Sequence, residues 1–279
     1  MRPQYTTKQQ IGGITEENRR LLDKLHRETT GPFTVSIATK VLGINQHSTA
    51  RLLAYWASRG WLSRIRKGLY ITVPLGAQHP SERREDPWIV VATLFEPAYI
   101  GGWSACEHWG LTEQIFSEIA VFTARRVRTR KQRVQDTKFV LRVVPKERLF
   151  GTVNVWRQQT RIQVSDPSRT IADILSEPAI GGGIRHVAQV VKEYFSGEHR
   201  DDDKLVNYIS RLKKRTISKR LGYLLENFQI DAPKILRYCE ANVSAGYSKL
   251  DPTVKVKGKL SRRWNLDINV DIGSETGRA

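Results

Sequence analysis

The 279-residue sequence contains only two cysteines, Cys106 and Cys239. They lie far apart and neither belongs to a CxxC pair, which argues against a disulfide framework and a cysteine-based zinc site. Two free thiols suit a reducing cytoplasm, the localisation we expect. Long apolar runs are missing as well. The opening stretch MRPQYTTKQQIGG holds none, so we expect no signal peptide. No other stretch approaches the length of a membrane span, so no membrane partner is expected. The six histidines never fall at HxxxH spacing. Ser104 sits in GGWSA rather than G-x-S-x-G, and Gly101-Gly102 and Gly181-Gly182-Gly183 lack the Lys-Ser/Thr of a phosphate loop. These absences leave no catalytic motif, metal site or cofactor to assign, and we expect a protein that is not an enzyme.

Acid is scarce relative to base. Lys and Arg number 46 against 28 Asp and Glu, a net charge of +18. Such an excess favours a polyanionic partner: DNA, RNA or an acidic protein. Residues 1–75 hold 12 basic and 4 acidic side chains, a net of +8. The length suggests about two domains.

The stretch Phe33 to Val73 carries the clearest pattern. A short amphipathic helix, Thr34 to Leu42, places Val35, Ala38, Val41 and Leu42 on one side. Gly43, Ile44 and Asn45 make a tight turn, and a second helix runs from Gln46 to Arg59 with Thr49, Leu52, Leu53 and Trp56 inward. Gly60 ends it. Two alternating strands, Trp61 to Arg66 and Leu69 to Val73, join at Lys67-Gly68. Preceded by a helix that Thr15 caps, this order predicts a winged helix-turn-helix over residues 1–75. The outward face of its second helix would hold Gln46, His47, Ser48, Arg51 and Tyr55, suited to base edges and phosphates. Arg64, Arg66 and Lys67 would form the charged wing. The competing reading is a small helical subdomain with a solvated basic edge.

Residues 76–87 read as a linker, rich in proline and without apolar periodicity. Beyond it, 88–279 reads as a mixed domain. Helices are expected over Trp88 to Leu94 and Ser104 to Gly110. Strands follow over Glu118–Thr123, Lys138–Val144, Thr152–Trp156 and Thr160–Val164. Helices return from Asp166 through Leu175, then over Ile184–Phe195, Asp202–Lys213 and Ser218–Phe228, with a strand over Trp264–Val270. Between the first two strands, Arg125, Arg126, Arg128, Arg130, Lys131 and Arg133 form the run RRVRTRKQR. A hairpin loop is its simplest account, and a solvated loop, a phosphate contact and a partner-docking patch all remain open for it. Lys213, Lys214, Arg215, Lys219 and Arg220 form a second basic cluster. Trp88, Trp103 and Trp109 are expected in the core rather than as base-stacking platforms.

A metal-dependent nuclease would need clustered carboxylates. Asp166 reads instead as a helix cap and Asp173 as a surface pair with Arg169 at i,i+4 spacing. Asp267 and Asp271 alternate with apolar residues, as the outer face of a strand does.

Taken in order, GLYITVP, YIGGWSACEHWGL, VSDPSRTIADIL, SKRLGYLLENF, YSKLDP and RWNLDINV resemble segments of the AbiE-type antitoxins of abortive-infection toxin–antitoxin systems, classed as type IV. The resemblance spans roughly residues 15–272, and the ordered set is more specific than any member. It implies an α+β protein: an N-terminal winged helix-turn-helix and a C-terminal mixed α/β antitoxin domain. Such proteins bind repeats upstream of their own operon, repress it, and counteract a nucleotidyltransferase-like toxin. Arg51 and its neighbours would match the recognition helix, and Arg64, Arg66 and Lys67 the wing. Arg125 to Arg133 and Lys213 to Arg220 are candidates for a basic DNA-gripping surface. The partners expected are double-stranded DNA, as inverted repeats of its own promoter, and the toxin, with the chain monomeric or pairing on DNA. The alternatives are a winged-helix regulator with an unrelated sensor domain, or a metal-dependent nuclease.

Overall fold

The computed structural model describes residues 14–29, 31–73 and 85–273. The chain divides into two compact units, Met1–Glu85 and Asp86–Ala279. Its described residues form an α+β protein of ten α-helices and three sheets. Among them no helix is long and apolar enough to cross a membrane.

In the first unit, helix α1 (Glu16–Glu28) starts where the Thr15 hydroxyl accepts from the Asn18 amide. Strand β1 (Phe33–Thr34) runs directly into α2 (Val35–Leu42), which Thr34 caps through the Ile37 amide. Gly43 ends α2 in the left-handed conformation, φ 72°. Ile44 and Asn45 complete the connection, and the Asn45 side chain accepts from Ser48 N at 2.8 Å to open α3 (Gln46–Ser58). Strands β2 (Leu62–Arg66) and β3 (Leu69–Thr72) pair antiparallel around Lys67-Gly68, with β1 on the outer side of β3. Leu25, Ala38, Leu42, Leu53, Trp56 and Leu62 form the core. Trp56 is fully buried and its indole N–H has no partner among the described residues. Burying an indole removes roughly 200 Å² from water, about 5 kcal/mol, against about 1–3 kcal/mol for the orphaned donor, so burial wins.

The second unit opens with α4 (Pro87–Leu94), whose cap is Asp86. The expected linker therefore stops before Pro87, because Asp86-Pro87 is itself a helix-start signal; residues 76–84 of it lie outside the described residues. Strand β4 (Ala98–Ile100), helix α5 (Gly102–His108) and strands β5 (Glu118–Thr123), β6 (Lys131–Val134), β7 (Thr137–Val143), β8 (Thr152–Arg157) and β9 (Thr160–Ser165) follow. They form one mixed sheet in the order β6-β7-β5-β4-β9-β8, with β7-β5 and β4-β9 parallel and the other pairs antiparallel. The basic run is thus only half loop: Lys131 to Val134 find backbone partners along β7 and become an edge strand.

Helices α6 (Pro167–Ser176), α7 (Ile184–Ser196), α8 (Asp202–Leu212), α9 (Arg215–Asn227) and α10 (Pro233–Ala241) supply most of the main core. A small sheet, β10 (Ser248–Lys249), β12 (Leu266–Ile268) and β11 (Lys259–Ser261), closes the unit. The expected strand over Trp264–Val270 shrinks to three residues. Trp264 is drawn into the core, where its ring lies on the backbone of Gly222: a Cβ built on that glycine would stand 2.1 Å from the ring. Asp267 does not simply face outward but accepts from Gly258 N at 2.7 Å.

Helix α6 corrects another expectation. Arg169 and Asp173 are no surface pair: they are 1% and 4% exposed. The helix contacts α5, α7, α8 and α9, so no face is left for solvent. Arg169 Nε donates to Asp173 at 3.0 Å, and its Nη atoms donate to the Tyr99 hydroxyl and the carbonyls of Phe150 and Arg148. Tyr99 in turn donates to Asp173 at 2.8 Å. Burial, then the Asp173 charge, raises the Tyr99 phenol well above its usual value and keeps it a donor. A buried ion pair endures only when its remaining valences are met in this way.

Candidate nucleic-acid interface

From Gly31 to Val73 the sequence contains no Asp or Glu and six Lys or Arg. Among residues 14–73 the described acids all lie on α1, where Arg20 and Arg27 pair with Glu16 and Asp23. Helix α3 sorts its side chains by period. Thr49, Leu53 and Trp56 are buried, while Gln46, His47, Ser48, Arg51 and Tyr55 are exposed. The small Thr49 sits where α3 passes closest to the preceding turn, and its hydroxyl is absorbed by the Asn45 carbonyl at 2.9 Å. Residues 46–48 form the first turn of the helix; Asn45 takes up the Ser48 amide, and the positive end of the dipole there favours an anion.

At the hairpin, Arg64, Arg66 and Lys67 are all exposed. Ile65 between them is buried, and a bulge between Arg64 and Arg66 shifts the register there. Arg51, Arg64 and Lys67 have no acidic partner among the described residues. Tyr55 is not a free-swinging side chain: its ring stands edge-on to Trp61 at 5.9 Å, with the Arg59 guanidinium 5.5 Å from its centre. Arg59 belongs with this exposed face and escaped the sequence reading. Its i,i+4 spacing from Tyr55 was the available signal. Polar hydrogen-bonding groups, an aromatic edge and uncompensated cations are thus gathered on one unit.

In the second unit the basic run is uneven. Arg125 is spent internally, donating to the Leu94 carbonyl at 2.7 Å. Lys131 faces Glu118 at 3.7 Å and Arg133 pairs with Asp136 at 3.2 Å. Arg126, Arg128 and Arg130 are exposed without an acidic partner among the described residues.

The second cluster splits. Lys213, Lys214 and Arg215 are exposed, whereas Lys219 and Arg220 are buried, which removes these two from any phosphate-gripping surface. Lys219 Nζ donates to the Gly246 carbonyl at 2.6 Å. The Arg220 guanidinium donates to the carbonyls of Leu175, Lys249 and Leu250 at 2.7, 3.1 and 3.0 Å. Burial pushes Arg220 down to about 10, which still leaves it charged at neutral pH. Arg220 falls three residues after Ile217 and four before Leu224, both fully buried, so it lies on the apolar stripe of α9.

The residues weighed for catalysis are engaged in packing. Asp166 caps α6 through the Arg169 amide at 2.8 Å and accepts from the Tyr208 hydroxyl at 2.7 Å. The Ser104 hydroxyl accepts from the Ala120 amide. His186 bonds the Gly181 carbonyl through Nδ1 and Thr112 through Nε2. Among the described residues no three His, Cys, Asp or Glu side chains converge as metal ligands would. The indole N–H groups of Trp103 and Trp109 donate to the Glu118 and Ser165 carbonyls, tying both rings into the fold.

No family model matches the chain, and no curated protein matches it. Among solved structures, the chain is similar to the crystal structure of the RV2827C protein from Mycobacterium tuberculosis, with a TM-score of 0.60 at 16% sequence identity. The likeness covers 91% of this chain and 92% of that one, so the two share a fold over nearly their whole lengths.

Proposed function

We propose that the first unit is a winged helix-turn-helix and that the protein is a DNA-binding antitoxin of the AbiE type. In this reading it represses its own operon and counteracts a nucleotidyltransferase-like toxin. One observation carries the DNA-binding part: α3 buries Thr49, Leu53 and Trp56 and turns Arg51 with its polar neighbours outward, in an acid-free stretch that ends in a basic hairpin. Helix α3 enters the major groove, and Arg64, Arg66 and Lys67 hold the backbone beside it. One such head reads only a few base pairs, so two copies on an inverted repeat supply useful specificity. The antitoxin part rests on the sequence resemblance.

The test is a mobility-shift titration on the repeats upstream of the gene. Arg51→Ala should lose about tenfold or more in specific affinity, the value of one good base contact of about 1–3 kcal/mol. Unchanged affinity would remove α3 from the interface. Co-expression with the neighbouring toxin gene tests the antitoxin role: rescue of growth supports it, and failure leaves an ordinary repressor.

A further inference from the structure

Helices α8 and α9 meet at a sharp corner. Lys213 takes the left-handed conformation, φ 52°, and Lys214 then opens α9 without any side-chain cap. The amides of Arg215 and Thr216 have no acceptor among the described residues. Beside this corner lies a cavity of about 240 Å³, walled by α8, α9 and α10 and lined by Lys213, Lys214, Arg215, Ser218, Tyr238 and Asn242 among others; no carboxylate lines it.

Ser218 is the informative side chain. It is 1% exposed, it lines the cavity, and its hydroxyl makes no hydrogen bond to any described residue. A serine inside a helix commonly bonds a carbonyl one turn back, as Ser196 does to the Lys192 carbonyl at 2.9 Å. Ser218 leaves that option unused. The hydroxyl is not sealed in the core but opens on the cavity, so its partner must come from there, as water or as a polar ligand. Everything else at the corner specifies the sign of that occupant. Uncapped amides and the positive end of a 13-residue helix favour an anion. Lys213 and Arg215 are exposed without an acidic partner among the described residues. Lys214 is anchored by Ser176, to whose hydroxyl it donates at 2.9 Å.

We propose that this cavity binds a phosphate group carried by a small molecule, either inorganic phosphate or the terminal phosphate of a nucleotide. Three helices wall the site, and that concavity suits a compact tetrahedral anion better than the convex backbone of a duplex. The site lies within the second unit and does not depend on the DNA-binding reading.

Isothermal titration of the full chain with inorganic phosphate, at ionic strength held constant with chloride, tests the proposal. Saturable binding is expected, weakened about tenfold or more in Arg215→Gln and several-fold in Ser218→Ala. A parallel titration with ATP separates the sources: equal affinity means that phosphate suffices, and tighter binding means that a nucleotide is preferred. Either result supports the site. Absence of saturable binding with both probes overturns it, as does binding that both variants leave unchanged. A variant effect seen only on duplex DNA also overturns it, because the corner is then a backbone contact. Circular dichroism of each variant establishes that any loss is not unfolding.

Discussion

The loop after β5 and the second turn of α9 carry the same kind of side chain under opposite conditions. In the loop, Arg126, Arg128 and Arg130 stand in water with no acidic partner among the described residues. In α9, Lys219 and Arg220 are enclosed, and each is bonded to main-chain carbonyls. A solvated guanidinium costs the fold almost nothing and keeps its donors for a ligand. A buried one loses its hydration and endures only because backbone oxygens replace it. The difference teaches that composition does not assign a cation its role. Its phase relative to the apolar stripe of its helix does.

The comparison breaks most readily at Arg220. Arg220→Ala should destabilise the protein by about 3 kcal/mol, since it strands several buried carbonyls. Arg126→Ala should stay within about 0.5 kcal/mol, as surface changes do. Urea unfolding measures both, and equal losses would erase the distinction drawn here.

A second variant sharpens the buried side. Asp251 is buried near Arg220; burial alone would raise its carboxyl, but bonds from the Thr253 hydroxyl and amide, the Ile184 amide and the Arg220 charge hold it below the usual carboxylate range. A depressed value means that its stabilisation is complete above the unfolded value of about 3.9 and is lost as pH falls through the folded value. Asp251→Asn should therefore cost about 1–2 kcal/mol at neutral pH, with the gap to wild type closing below about pH 4. A gap that stays constant down to pH 2 would refute the assignment.

On the exposed side, replacing Arg126, Arg128 and Arg130 together by alanine should leave the melting temperature unchanged. If these guanidiniums meet DNA, the log–log salt slope of binding should fall by up to about 2.7, near 0.9 per lost phosphate contact. An unaltered slope assigns the loop to solvent.

The smallest effect concerns the thiols. Burial pushes Cys239 up to about 12 and Cys106 higher still. Neither should react with a thiol reagent near neutral pH until the chain unfolds, and rapid labelling of the native protein would show that their surroundings open easily.

Much of the architecture was legible because it is locally encoded. Thr15 and Asp166-Pro167 announce helix starts, the Gly43-Ile44-Asn45 turn and Gly60 announce ends, and the β-branched and aromatic residues of EIAVFT mark β5 with its observed bounds. What escaped depends on neighbours distant in sequence. Helix α10 buries only Ile235 and Cys239, too few for a visible period. Strand β4 has three residues and is a strand because β5 and β9 flank it. Arg169 and Asp173 have the same spacing whether a helix lies outside or within, and only the enclosing helices decide. At the candidate interface, the outward side of α3 could be read from its period. Arg59 lies one turn beyond Tyr55, and only the i,i+4 spacing hinted that its guanidinium would sit by that ring.

The contact between Trp264 and Gly222 ties the end of the chain to its middle. The indole rests on bare backbone and donates to Glu226, so the last segment acts as a clasp over α9 and not as an appendage. Shortening the protein from its C-terminus is therefore expected to become damaging as soon as it reaches Val270, Asn269 and β12, which belong to the same core as the indole. Past that point the whole unit should give way at once, and with it the corner where α8 meets α9.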